Sequence, residues 1–219
     1  MKSATLLLAG ALLITATSCS KSRLRGEGSV ISDTRSLSNF TRVEANGSTN
    51  ITVVKDSAYK VIVTGYQNLV PAFETKVNGN KLTLEFDDQY ISVRNNNVTV
   101  EVHTPNIEYY NVNGSGNTTI GSGFDGSSFE GHINGSGELT VNNSKFTTLK
   151  AYVNGSGDIK AASTTCENGR AEISGSGNID MTVTKHLSVK ISGSGNVSYW
   201  GNPTTDVDVS GSGNVKKKG

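Results

Sequence analysis

The amino-acid sequence predicts an all-β protein built as a parallel β-helix, or solenoid, with coils of about 18–21 residues. From residue 114 onward, six Gly-Ser-Gly triplets follow one another at steps of 18–21 residues. Apolar and polar residues alternate at period two on both sides of each triplet, which is the pattern of strands with one buried face. The composition, with 25 glycines and three prolines, suits short strands joined by tight turns and includes few good helix formers.

The Gly-Ser-Gly triplet is interpreted as the corner of each coil. Glycine supplies a positive φ without steric cost, and the serine can hydrogen-bond the local backbone. A phosphate-binding loop would occur once and would open a helix, whereas these triplets are followed by strand-like sequence such as NTTI at 117–120. The first glycines of the triplets, which are the predicted structural corners, are Gly114, Gly135, Gly155, Gly175, Gly193 and Gly211.

Residues of one type recur at fixed distances from the corner glycine. Valine or isoleucine stands two residues before it in every repeat, and mostly aliphatic residues stand four and six after it. Coils stacked in register at roughly 4.8 Å would turn these columns into apolar ladders. The flanking asparagines would form polar ladders in which amides bond one another. An antiparallel meander is the alternative, because Asn-Gly is also a strong hairpin signal.

The N-terminal third is less regular. The segment Val43–Val53 fits the repeat with Gly47 as its corner, and Tyr59–Thr64 and Lys81–Phe86 are predicted strands. The sequence VNGN at Val77–Asn80 indicates a hairpin turn. Whether these strands pair in parallel or antiparallel fashion stays open. A single β-helical domain is predicted over residues 35–219.

Residues 1–19 are typical of a lipoprotein signal peptide. Lys2 gives a positive start, and the apolar run Leu6–Thr15 is too short for a permanent membrane helix. A run of small residues, Ala16–Cys19, follows and ends at Cys19, which would become the lipidated first residue of the mature chain; an ordinary cleaved signal with a free cysteine is the alternative. We expect residues 20–34 to be a polar, basic tether, in which Lys21, Arg23 and Arg25 could lie against anionic head groups; a plain solvated linker is the alternative.

The corner-punctuated strands, the segment FTRVEANGSTNITVV at 40–54 and the lipoprotein-like start resemble one known family. It is the "putative auto-transporter adhesin, head GIN domain" family, and the resemblance covers roughly Phe40 to Val215. It implies a right-handed β-helix-like fold and an envelope location. The family supplies no established catalytic residues to carry over.

The sequence contains few residue patterns that would indicate a site for a metal, a cofactor or a nucleic acid. The formal charge of +1 gives no overall attraction to nucleic acid. His103, His132 and His186 are dispersed without partners at ligand spacing, and Cys166 has no neighbouring histidine. Calcium-binding β-rolls need a nine-residue period, which the repeat does not have. We therefore predict no metal and no cofactor.

Two sets of side chains are candidate sites. Glu138 and Asp158 would occupy equivalent places on neighbouring coils, and paired carboxylates are what glycoside hydrolysis requires; simple polar turn positions are the other interpretation. Tyr109, His132 and Tyr152 point outward and could form a strip that binds a sugar or a peptide. Ordinary outward-facing strand residues would give the same pattern.

The sequence predicts a lipid-anchored protein of the cell envelope. Ser20 after the cysteine is compatible with sorting of that protein to the outer membrane. Its β-helical body would bind, adhere or act as a scaffold without catalysis, with the membrane and a glycan or surface protein as partners. A polysaccharide-active enzyme, a glycosidase or lyase using Glu138 and Asp158, is the alternative. A self-assembling structural protein is a third, although the charged end KKKG at 216–219 is expected to discourage end-to-end stacking.

Overall fold

The computed structural model of the protein describes residues 22–37 and 39–218, and all regular structure in this part is β-strand. The strands form a β-solenoid. The N-terminal strands are β1 (Ser22–Arg25), β2 (Val30–Arg35), β3 (Arg42–Gly47), β4 (Asn50–Lys55), β5 (Lys60–Tyr66), β6 (Phe73–Asn78), β7 (Lys81–Phe86), β8 (Tyr90–Arg94) and β9 (Thr99–Thr104). The remaining strands are β10 (Tyr109–Gly114), β11 (Asn117–Ile120), β12 (Asp125–Gly135), β13 (Glu138–Val141), β14 (Lys145–Gly155), β15 (Asp158–Gly175), β16 (Asn178–Gly193), β17 (Asn196–Trp200), β18 (Thr204–Gly211) and β19 (Asn214–Lys217).

Successive coils are parallel and in register. The strands that end at a corner glycine form the first side of the solenoid: β3, β10, β12, β14, the ends of β15 and β16, and β18. The strands that leave the corner form the second side: β4, β11, β13, the starts of β15 and β16, β17 and β19. The predicted solenoid is thus confirmed, and the meander is excluded for the repeated part.

The corner needs glycine for two separate reasons, which Gly155 illustrates. Its φ is 130°, and the six predicted corner glycines have φ between 122° and 136°, a region that side chains other than glycine rarely adopt. A Cβ on Gly155 would also lie 2.3 Å from the carbonyl oxygen of Gly135 on the preceding coil. That oxygen accepts hydrogen bonds from the backbone N–H groups of Ser156 (2.9 Å) and Gly157 (3.0 Å). The corner amides therefore bind the preceding coil and are not free to cradle a phosphate.

The apolar columns predicted from the repeat line the interior. In the column two residues before the corner, Val153 and Ile173 are each 2% exposed, and the columns on the second side are buried in the same way. Side chains stacked at the interstrand spacing bury continuous apolar ladders, which is the main stabilising contribution in such a fold. The buried members of these columns include Val112, Ile133, Ile191, Leu139, Ile159, Ile179, Val197, Ile120, Val141, Ala161 and Met181.

Polar ladders run along the outside of both sides next to the corners. On the first side, Asn134 Nδ2 donates to Asn113 Oδ1 (3.0 Å), and Asn113 Nδ2 donates to Asn46 Oδ1 (2.8 Å). On the second side, Asn196 Nδ2 donates to Asn178 Oδ1 (3.0 Å). These bonds join side chains on adjacent coils and help to fix the register.

The N-terminal third combines both pairing modes. Strands β3 and β4 carry the coil with Gly47 as its corner, and they pair in parallel with β7 and β9, respectively. Strand β5 then pairs antiparallel with β9 and with β2, and β6 pairs antiparallel with β7. The predicted turn falls between β6 and β7, where Asn78 faces Lys81. Because the hairpins reverse the chain, they end the stack of coils, and the buried residues Leu69 and Val70 lie in the segment between β5 and β6.

The structure departs from the predicted tether over the part of residues 20–34 that it describes. Strand β1 pairs in parallel with β8, and β2 pairs antiparallel with β5. The polar composition suggested a linker, but the open edges of β8 and β5 supply backbone partners, and Leu24 packs against the core. The signal peptide 1–19 with Cys19, and Lys21, lie outside the described residues. No helix able to cross a bilayer occurs in the part of the chain that the structure describes.

Candidate functional site

The structure brings Tyr109, His132 and Tyr152 together in one ring stack on the first side. The centroids of Tyr109 and His132 are 5.2 Å apart with their planes at 38°, and those of His132 and Tyr152 are 4.5 Å apart at 17°. The guanidinium carbon of Arg42 lies 3.9 Å from the centre of the Tyr109 ring, a distance typical of a cation–π contact. The ring stack, as we name these four side chains, spans strands β3, β10, β12 and β14.

The register explains the different ring angles. His132 and Tyr152 are direct partners on β12 and β14, so their rings lie nearly parallel. Tyr109 is the direct partner of Glu130, and it reaches His132 diagonally, within the range of aromatic side chains. Sequence reasoning missed Arg42, because that residue lies far away in the chain. Its position five residues before the corner Gly47, matching Tyr109 and Gly114, is the signal that could have identified it.

Glu130 holds the imidazole of His132 in place. Its Oε1 lies 2.7 Å from His132 Nε2, and its Oε2 lies 3.6 Å from Lys150 Nζ. Partial burial alone would raise the pKa of Glu130, but the hydrogen bond and charge of His132 and the charge of Lys150 outweigh it and lower the pKa. Burial is also the main cause that raises the pKa of the Tyr109 hydroxyl. The ring stack is therefore fixed by charged neighbours rather than loosely exposed.

A shallow groove of about 350 Å³ begins at His132 and Tyr152 of the ring stack and runs over β12, β14, β15 and β16. Since His132 lies between the two tyrosine rings, its ring faces are largely covered, and Tyr152 is the outermost ring toward β15. Arg170 Nε donates to Glu172 Oε1 (2.6 Å), so the guanidinium is paired with that carboxylate at the edge of the groove. The groove offers a phenol ring, an amide, two hydroxyls and an ammonium group; its lining includes Tyr152, Asn154, Glu172, Ser174, Lys190 and Ser192.

Glu138 and Asp158 are adjacent, as expected, but each has its own partner. They are register partners on β13 and β15. Lys160 Nζ lies 2.5 Å from Glu138 Oε2, and Asp158 Oδ1 accepts hydrogen bonds from the backbone N–H (2.9 Å) and the Nδ2 (2.8 Å) of Asn178. The two carboxylates are thus engaged in separate cross-coil interactions.

The other candidate residues are dispersed. His103 bonds Asp56 through Nδ1 (2.9 Å) and Glu101 through Nε2, a cluster that sequence spacing could not show because Asp56 precedes His103 by 47 positions. His186 lies on the exposed surface near Thr204.

Cys166 is buried, and desolvation raises the pKa of its thiol to about 12. This thiol is therefore a packed core group and a poor nucleophile. Across residues 22–37 and 39–218, no group of three or more His, Cys, Asp or Glu side chains could hold a metal ion.

Solved bacterial structures share this fold. A putative adhesin from Bacteroides fragilis is 19% identical, with a TM-score of 0.70 over 89% of this chain and 100% of that chain. A putative adhesin from Parabacteroides merdae is 17% identical, with a TM-score of 0.60 over 90% of this chain and 100% of the other. A putative lipid binding protein from Parabacteroides distasonis is 21% identical, with a TM-score of 0.59 over 90% and 100% of the two chains. At these identities the likeness concerns the fold alone.

No curated protein matches the chain. A family match covers residues 39–219, which is nearly all of the solenoid, and its description is "Putative auto-transporter adhesin, head GIN domain". That description supports an adhesion or binding role and indicates a protein of the cell surface or envelope. The chain belongs to this auto-transporter adhesin head GIN domain family.

Proposed function

We propose that the chain is a lipid-anchored protein of the cell envelope that binds a surface glycan through the ring stack and its groove, without catalysis. The observation that carries the proposal is the union of Tyr109, His132 and Tyr152 with a groove of about 350 Å³ on one face. Ligand sites commonly combine an aromatic surface with a few polar groups that fix orientation. The amide, hydroxyl and ammonium groups of the groove match the hydroxyls of a sugar.

The ring stack adds rigidity to this surface. Aromatic side chains that are already packed lose little conformational freedom on binding, which favours affinity. Arg42 and Glu130 hold the two ends of the Tyr109–His132 pair, so the edge of Tyr152 is presented by a fixed scaffold. A flexible loop would lose more entropy on binding the same ligand.

Lipid anchoring is supported by the N-terminal sequence. The apolar run Leu6–Thr15 and the small residues before Cys19 match a lipoprotein signal. Only Ser20 and Lys21 separate that cysteine from β1, so a lipid there would hold the N-terminal end of the solenoid close to the bilayer. Ser20 is compatible with sorting to the outer membrane. Palmitate labelling should modify the wild-type chain and leave a Cys19→Ser variant unlabelled; equal labelling of both would refute the anchor.

The absence of catalysis is proposed because Glu138 and Asp158 are each held by a separate partner, Lys160 and Asn178. A glycan-degradation screen with the wild-type chain and a Glu138→Gln variant tests this point. We expect no turnover by either chain. Turnover by the wild type that the substitution abolishes would establish the polysaccharide-active enzyme instead.

An array of glycans and matrix proteins, probed with the chain from Ser20 onward, tests the binding surface. This chain contains every described strand. We expect retention on one class of glycan and at least a roughly tenfold weaker affinity for Tyr152→Ala, since an aromatic hot-spot contact at a site centre contributes about 2 kcal/mol or more and tenfold corresponds to about 1.4 kcal/mol. Tyr90→Ala, on β8 at the N-terminal end, is the matched control and should bind like the wild type. Retention only on protein spots, no retention, or equal loss in both variants would refute the proposed glycan site.

A further inference from the structure

The last coil that the structure describes, formed by β18 and β19, has an open outer edge. All eight residues of β18 are exposed. Val207 and Val209 are 46% and 39% exposed, whereas Val189 and Ile191, their register partners on β16, are 2% and 1% exposed. The apolar columns therefore run to the end of the stack and meet solvent there. Open strand edges of this kind pair readily with another chain.

The far edges of β18 and β19 have unpaired backbone groups. Within residues 22–37 and 39–218, β18 pairs only with β16, and β19 pairs only with β17. The N–H and C=O groups on the other edge point along the solenoid axis. A strand from another molecule could satisfy them by the same ladder that joins the coils.

The sequence of this end is self-complementary. It is DVDVSGSGNVKKK at 206–218, with Ser212 at its centre. Most positions equidistant from Ser212 carry opposite charges or similar side chains: Asp206 with Lys218, Asp208 with Lys216, Val209 with Val215 and Ser210 with Asn214; Val207 with Lys217 is the exception. The two aspartates lie on the first side of the solenoid and the lysines on the second, on either side of the last corner.

We infer that the open end binds a second copy of this chain, head to head, about a two-fold axis through the corner at Ser212. This two-fold axis is perpendicular to the solenoid axis. In one copy β18 runs toward the corner, whereas the partner strand that lies over it, β19, runs away from the corner. The strands that meet across the interface are therefore antiparallel. Strand β18 would then pair with the partner's β19, and β19 with the partner's β18. Such an interface is isologous and closes at a dimer.

The charges select this pairing over others. Asp208 would face Lys216 of the partner subunit, Asp206 would face Lys218 of the partner subunit, and the two-fold repeats both contacts. Val209 would cover Val215 of the partner subunit, so the apolar columns next to the corner meet, whereas Val207 would face Lys217 of the partner subunit. Pairing of β18 with the partner's β18 would place aspartate against aspartate, which is unfavourable. The basic segment that disfavours random stacking thus favours this one arrangement.

The same end is remote from the proposed anchor. Nine interstrand steps separate β2 from β19 on the second side, which corresponds to about 43 Å at roughly 4.8 Å a step. If Cys19 is lipidated, as proposed above, the open end faces away from the bilayer. Two copies anchored in facing membranes would then meet through their free ends. The pairing itself does not depend on the anchor or on the glycan site.

Sedimentation equilibrium of the chain from Ser20 onward tests the inference through charge reversal. We expect a monomer–dimer equilibrium for the wild type that weakens with added salt. Asp206→Lys/Asp208→Lys and Lys216→Glu/Lys218→Glu should each raise the dimer dissociation constant roughly tenfold or more, because four attractive cross-strand contacts become repulsive. The matched control Lys145→Glu/Lys185→Glu reverses two lysines on other strands and should dimerise like the wild type.

An equimolar mixture of the two charge-reversed variants is the decisive sample. In the mixed pair, each β18 meets a β19 of opposite charge at both contacts, so a heterodimer should form with affinity near that of the wild type. This recovery also shows that both variants are folded. A wild type that stays monomeric at millimolar concentration, dimers unaffected by either reversal, open-ended polymers, or no heterodimer in the mixture would each overturn the inference.

Discussion

The corner glycine provides the sharpest test of how this fold is held together. In Gly155→Ala, the added Cβ would lie 2.3 Å from the carbonyl oxygen of Gly135, about 1 Å closer than such atoms approach. The backbone there has a φ of 130°, which an alanine adopts only with strain. The substitution therefore combines a conformational cost with a steric clash against the preceding coil.

The expected loss in the free energy of unfolding is the sum of the conformational cost and the cost of the clash. Holding alanine in a sparsely populated backbone region costs about 1–3 kcal/mol. Relief of the clash would lengthen the bonds that the N–H groups of Ser156 and Gly157 donate to Gly135, and each is worth about 0.5–1.5 kcal/mol. We expect Gly155→Ala to lower the free energy of unfolding by about 2–6 kcal/mol. That is a large share of the stability of a typical domain.

Substitutions at two further glycines distinguish the conformational cost from the steric clash. Gly47 has a φ of 106°, but no atom of the described residues lies within 4 Å of the Cβ position, so Gly47→Ala should show the conformational cost alone. A Cβ on Gly126 would meet the Phe146 ring at 3.6 Å, an ordinary contact distance, and Gly126→Ala should change stability by less than about 1 kcal/mol. Urea unfolding followed by circular dichroism measures all three variants on the chain from Ser20 onward.

The expected order of destabilisation is Gly155→Ala, then Gly47→Ala, then Gly126→Ala. Equal losses for Gly155→Ala and Gly47→Ala would show that the coils are not in contact at the corner. A Gly155→Ala variant as stable as the wild type would refute both parts of the reasoning.

Three other predictions concern the core, acid stability and the open end. The Cys166 thiol, buried with its pKa raised to about 12, should react with Ellman's reagent only after unfolding; rapid labelling of the native chain would contradict its burial. The backbone N–H of Ala58 and the side chain of His103 lower the pKa of Asp56, so its stabilisation is complete above the unfolded pKa of about 4 and is lost as the pH falls through the lower folded value. The melting temperatures of the wild type and Asp56→Asn should therefore converge below about pH 4, and a constant difference would refute this. Val153→Ala should destabilise the chain by about 2–3 kcal/mol and Val209→Ala at the open end, in dilute monomer, by less than about 1 kcal/mol; equal losses would show that the end is covered.

The repeated part was predictable because stacked coils place equivalent residues in equivalent environments. The recurrence of glycine, valine and asparagine at fixed distances reports register directly, and Gly47 could be aligned with Gly114 on that basis alone. The three rings of the ring stack were predictable to the same extent, whereas Arg42 was missed. Tyr109, His132 and Tyr152 stand in neighbouring outward columns, and the parallel register places them within contact distance.

The N-terminal strands were less predictable because they do not repeat. Pairing of β1 with β8 depends on backbone groups that any sequence carries, so the polar segment at 22–25 gave no sign of it. The bond between His103 and Asp56 joins residues brought together by the return of β9 beside β4. Neither contact has a periodic signal. The partners of Glu138 and Asp158 were also hidden, because they depend on side-chain conformations rather than on spacing.

Parallel register is the claim on which the ring stack, the groove and the self-complementary end all depend. Thr119 and Ser198 are linked by four register steps along the second side. Their Cα atoms should therefore be about 19 Å apart at roughly 4.8 Å a step. Double electron–electron resonance between spin labels on Thr119→Cys and Ser198→Cys, in the chain from Ser20 onward, measures this distance directly. A distribution centred near 19 Å, broadened by the label arms, is the predicted result. One centred near 38 Å, as two strands per repeat would give in an antiparallel meander, would contradict the account.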